Sequence, residues 1–127
     1  MKKMIALLAP LAAAACSPPT VPVTGTLGRE AAQGQATANF DGNGTFWVIT
    51  TRGLRCDGTY DAYSTDPTIT APVTCNDGRT GNLIITRSLD MVSGTVIGRL
   101  SDGTEGRFVF GNLQYSQAFG GSGAQTR

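Results

Sequence analysis

Asp77, Arg79, Asp102 and Glu105 are the residues of this 127-residue chain whose types and spacing could act on a substrate. They fall in two copies of an Asp-Gly-x-x-Gly pattern, at residues 77–81 and 102–106. Side by side, two such segments gather three carboxylates and a guanidinium on one rim. Paired carboxylates cleave glycosidic bonds as acid and base or nucleophile. A guanidinium beside a glycine turn holds a carboxylate or phosphate through two parallel N–H donors. Each residue also has a structural reading. Asp-Gly supplies the positive φ of tight hairpin turns, with the aspartate bonding nearby amides. Arg79 can pair with a carboxylate of its own sheet, and Glu105 with Arg107 across strands.

Two other groupings are weaker. Asp41-Gly42-Asn43-Gly44-Thr45 offers oxygens at positions 1, 3 and 5, as calcium loops do. It lacks the glycine at position 6 and has Arg52 where the bidentate glutamate belongs, so it reads as a hairpin turn. Trp47, Tyr60 and Tyr63 would stack a sugar if they shared a face, but Trp47, inside an apolar run at 45–50, reads as core. The chain has no histidine. That removes histidine triads, histidine general bases and most zinc sites, leaving carboxylates, tyrosine and hydroxyls. No metal and no cofactor is expected.

The three cysteines carry different chemistry. Cys16 ends a leader in which Lys2 and Lys3 precede a run of apolar and small residues at 4–15. This is a secretory signal, too short to span a bilayer, which needs about 20 apolar residues. It resembles a bacterial lipoprotein signal, which implies that the Cys16 thiol takes a diacylglycerol and becomes the first mature residue. Ala13-x-Ala15 also fits ordinary signal cleavage, which would release a protein with a free Cys16. Parity favours the lipid. With Cys16 acylated, Cys56 and Cys75 remain as a pair in an oxidising compartment, and no thiol is left over. Two or three acyl chains bind a membrane durably where one does not. Aspartate after the modified cysteine often signals inner-membrane retention in such lipoproteins. Ser17 is not aspartate, which points to the outer membrane.

Ten basic residues less Lys2 and Lys3 leave eight against nine acidic ones, all eight being arginine and scattered singly. There is no basic stripe for nucleic acid and no polybasic patch for anionic lipid.

The elements that must position these groups are strands. In residues 68–75, Ile69, Ala71, Val73 and Cys75 share one face, and in 55–60 Cys56 and Tyr60 do. Both cysteines therefore face inward on neighbouring strands. Residues 45–50 and 83–85 read as central strands, 92–100 and 107–110 as further ones, and 21–27 and 35–40 as weaker ones. Asp57-Gly58, inside a strand, suggests a bulge. Residues 29–33 read as a helical turn or a loop.

Gly34-x-Ala36-Thr37-Ala38, Asp41-Gly42-x-Gly44-Thr45, Gly53-Leu54-x-Cys56-x-Gly58-x-Tyr60, Cys75-x-Asp77-Gly78-Arg79-x-Gly81 and Phe108-Val109-Phe110-Gly111 together resemble a family of small Gram-negative lipoproteins. The resemblance spans residues 34–111. It implies an exported all-β domain with a disulfide and transfers no catalytic residue. Residues 65–70 depart from it, since that stretch tends to be shorter and richer in glycine.

The expected molecule is all-β: an antiparallel β-meander of seven or eight short strands forming a barrel or a two-layer sandwich. Residues 1–15 are the signal peptide, 16–33 the lipidated N-terminus and tether, 34–112 the β domain and 113–127 a flexible tail. The leading expectation is a non-enzymatic protein, held to the membrane by lipid on Cys16, that recruits an envelope protein partner through an exposed edge strand. The others are a carboxylate-dependent hydrolase of envelope polysaccharide, and a module binding a small anionic ligand at Arg79 and Asp77.

Overall fold

Alternation decides the architecture strand by strand. The computed structural model describes residues 17–120, so Cys16 and the signal peptide lie outside the described residues. Eight strands run in chain order: β1 (Thr20–Leu27), β2 (Glu30–Ala38), β3 (Asn43–Thr50), β4 (Arg55–Asp61), β5 (Thr68–Cys75), β6 (Thr80–Arg87), β7 (Gly94–Leu100) and β8 (Glu105–Phe110). Each pairs antiparallel with the next, and β1 pairs with β8, so the meander closes into a barrel. On β3, Phe46, Val48 and Thr50 point inward while Thr45 and Ile49 face solvent. Ala71, Val73 and Cys75 of β5, and Leu83 and Ile85 of β6, continue the same inner face. Phe108 and Phe110 fill it from β8. An eight-stranded barrel is just wide enough for such side chains to meet across the axis.

One end carries four tight turns, at residues 28–29, 51–54, 76–79 and 101–104. Three are built alike. In the last two, the strand-end carbonyls of Cys75 and Leu100 accept from Gly78 N and Gly103 N at 2.9 and 2.8 Å. Both glycines sit near φ +90°, where a side chain would be strained. Thr50 and Gly53 repeat this arrangement between β3 and β4. The opposite, open end carries the chain's approach to β1 and the loops at 39–42, 62–67 and 88–93.

Four expectations are corrected. The barrel begins at Thr20, not residue 34: β1 and β2 are full wall strands, and residues 30–33 are strand, not helical turn or loop. β1 was faint in sequence because only two of its eight residues, Val23 and Leu27, are buried apolar ones. Its partner β8 is also remote in sequence. Asp57-Gly58 makes no bulge, since both residues pair in unbroken register with β3 and β5. Gly58 instead leaves room for the Phe46 ring, which a Cβ there would overlap. Residues 115–119 of the expected tail form a short helix, α1 (Tyr115–Phe119). It folds back on the wall, with Arg107 5.9 Å above the Phe119 ring and Tyr115 Oη 3.5 Å from Thr26 Oγ1. Finally, each of the eight described strands pairs on both sides, so none of them is the whole-length edge strand expected to recruit a partner; β4 beyond Gly58 and β5 before Val73 are unpaired toward each other.

The β4–β5 ladder is the shortest, pairing only Cys56–Gly58 with Val73–Cys75. The next position on β5 is Pro72, which has no N–H to donate, so the ladder stops there. The disulfide sits on this seam. Cys56 and Cys75 are direct partners, buried and bonded, with Cα atoms 3.9 Å apart.

Candidate binding site at the open end of the barrel

The turns holding Arg79 and Asp102 do lie side by side, at the tight-turn end. Arg79 Nε bonds Asp77 Oδ2 at 2.8 Å, and its Nη1 bonds Asp102 Oδ2 at 2.7 Å and Thr104 Oγ1 at 3.1 Å. The remaining carboxylate oxygens accept the backbone amides of their own turns, from Arg79 N at 3.0 Å and Thr104 N at 2.9 Å. Donation from Thr104, side chain and backbone, and then Arg79 pull the Asp102 carboxyl down to about 2. The Arg79 amide does most to lower Asp77. The guanidinium is thus filled by its own chain and clasps two hairpins together. Asp77 and Asp102 converge on it rather than on an open cleft. Glu105 turns instead to Arg107 on its own strand, 3.6 Å away.

The aromatic trio is dispersed. Trp47 is not core: it is half-buried on the outer wall beneath Arg55, whose guanidinium lies 4.7 Å from the ring centre and is bound to Asp57. Tyr60 points into the lumen near Phe46, and Tyr63 stands on the rim of the open end. Asp41 bonds Asn43 N at 2.9 Å and so builds the β2–β3 hairpin. Among the described residues no three histidine, cysteine or acidic side chains gather as a metal site.

Two features of the open end were not singled out from sequence. The first is a rim of apolar side chains on three separate loops. Phe40 is 60% exposed, Tyr63 67%, and Leu89 fully, with Val92 half-exposed beside it. These loops are braced. Tyr63 donates its hydroxyl to Phe40 O and packs its ring against Gly42. Asp90 Oδ1 accepts from Val92 N at 3.0 Å and Ser93 N at 3.2 Å, and Ser93 Oγ also donates to it. Met91, with φ +64°, is the one non-glycine residue in the left-handed region among those described. Such a conformation persists only where its surroundings enforce it. Leu89 immediately precedes this braced turn and is fully exposed. Asp41, Asp61, Asp66 and Asp90 lie on the same loops or strand ends.

The second feature is the throat. β6 sends Leu83, Ile85 and Arg87 inward in succession. Arg87 is 9% exposed; its Nη2 donates to Asp66 O, and its buried Nε has no partner. Below it the lumen keeps a cavity of about 130 Å³, lined mainly by apolar groups such as Val23, Val48, Leu83 and Phe108. Tyr60 also lines it, in space that Gly44 leaves by having no side chain. Burial raises the Tyr60 hydroxyl above its usual range, opposed by the Arg87 charge. The signal for Arg87 was present in the alternation, which puts a charge at the third inward position of a strand.

No protein-family model matches this chain, and no curated protein or solved structure matches it either.

Proposed function

We propose that the protein is a lipid-anchored component of the cell envelope, bound to the outer membrane by diacylglycerol on Cys16, with a non-enzymatic binding role. In this reading its open end rests against the bilayer. One observation carries it: the chain reaches β1 at Thr20 on the end that bears Phe40, Tyr63, Leu89 and Val92. Thr20 is four residue steps from Cys16, an extended reach of at most about 14 Å. Lipid on Cys16 would therefore keep the end that bears the rim within about 14 Å of the membrane surface. The rim adds apolar contact to an anchor whose two acyl chains already bind durably. No helix among the described residues is long and apolar enough to cross a membrane. The aspartates of this end oppose an anionic surface, so the fit is to zwitterionic lipid.

Labelled palmitate in growing cells, followed by envelope sedimentation, tests the anchor. Label should enter the wild-type chain and be lost with Cys16→Ser, which should leave the sediment. Unlabelled product, or a Cys16→Ser chain that still sediments in full, refutes anchoring by this thiol.

A further inference from the structure

We propose that the barrel lumen is a binding site for a small apolar carboxylate, with Arg87 as its anion anchor. The site stands on the lumen alone and does not depend on lipid at Cys16. Arg87 is more than nine-tenths buried and lines the cavity, and its Nε has no hydrogen-bond partner. No carboxylate among the described residues lies within 4.0 Å of its guanidinium. The sole bond shown for that group, to Asp66 O, is to a neutral carbonyl. Buried charges are ordinarily paired, because desolvation without an opposite charge is unfavourable. Of the six other described arginines, Arg79 and Arg55, far more exposed, each hold a carboxylate at 3.0 Å or less.

The cavity supplies the rest of the specificity. Its volume of about 130 Å³ approaches the roughly 150 Å³ of an apolar cavity that admits benzene. Tyr60 Oη has no hydrogen bond to another described residue, so a second donor stands in the same lumen. A ligand that satisfies all of this has one negative oxygen pair and an apolar body of about six carbons. A carboxylate meets the Arg87 guanidinium with a charge-assisted bond, while its body displaces nothing polar from the walls. A cation is repelled by Arg87, and a neutral isostere leaves its charge unpaired.

Sodium benzoate, benzyl alcohol and benzylamine, titrated into the full chain, test this. The readout is the Nε–H resonance of Arg87 in arginine-labelled protein. Benzoate should bind saturably and shift that resonance, at least tenfold tighter than benzyl alcohol, with no binding of benzylamine. Arg87→Met should bring benzoate down to the level of the alcohol, and Arg87→Lys should restore part of the difference. If Arg87→Met does not fold, the wild-type resonance and Arg87→Lys decide. Equal affinity for benzoate and benzyl alcohol, undiminished benzoate binding in Arg87→Met, or an Nε–H resonance unmoved by millimolar benzoate each overturn the proposal.

Discussion

Cys56 and Cys75 are direct cross-strand partners, and their bond closes the barrel where its hydrogen-bonded ladder is shortest. Seven seams are held by longer runs of backbone pairs; this one ends at Pro72. The covalent link therefore takes over where Pro72 ends the ladder.

Replacing both cysteines by alanine should destabilise the fold by about 3 kcal/mol, the chain-entropy value for a loop of this length, measured by urea unfolding. Hydrogen exchange should quicken first at residues 59–61 and 68–71, beyond the last ladder pair. Uniform loss of protection around the barrel would show that the seam is not the weak point.

The Arg79 clasp predicts an acid limb of stability. Asp102 is held down to about 2 by Thr104 and Arg79, and Asp77 is lowered too. A carboxyl depressed in the folded state contributes fully above its unfolded value near 4 and loses that contribution as pH falls toward 2. Melting temperature should thus hold down to about pH 5 and fall between pH 4 and 2. Asp102→Asn should flatten that fall. A slope unchanged by Asp102→Asn would contradict the clasp.

Gly58→Ala should destabilise by about 1–3 kcal/mol, because its Cβ would overlap both the Phe46 ring and the Pro72 carbonyl of the backbone. Gly53, with open space around the same position, is strained by its φ of +93° instead. Comparing unfolding of the two alanine variants, loss of Phe46 packing should appear in near-ultraviolet circular dichroism for Gly58→Ala alone.

Leu89→Asp should leave stability within about 0.5 kcal/mol, since the side chain is fully exposed. It should still lower binding of the Cys16→Ser chain to phosphatidylethanolamine-rich vesicles. Equal binding by both chains would remove Leu89 from any membrane contact.

Much of the wall was legible in sequence. Ile69, Ala71, Val73 and Cys75 announced their face by alternation, and the Asp-Gly steps at 41, 77 and 102 marked three hairpins correctly. Closure was not legible. The partner of β1 is β8, some 80 residues away, and nothing local to Val23 or Leu27 reports that pairing. The same limit misplaced Trp47. A strand apolar on both sides looks central, but here the outer apolar face is covered by Arg55 rather than by a second layer. Arg79 drew attention by its motif, although motif and pairing proved to be one thing. Arg87, with no motif, stood out only once the inward face of β6 was known. The rim escaped because Phe40, Tyr63 and Leu89 are isolated in sequence and come to the same end only in a closed barrel.

The orientation of the anchored chain is the most direct test of the account. Single labels at Leu89→Cys and Arg52→Cys, exposed on opposite ends of the barrel, can be read for depth by lipid-borne quenchers in vesicles carrying the acylated protein. The account predicts strong quenching at position 89 and none at position 52. Equal quenching at both sites, or stronger quenching at 52, would contradict it.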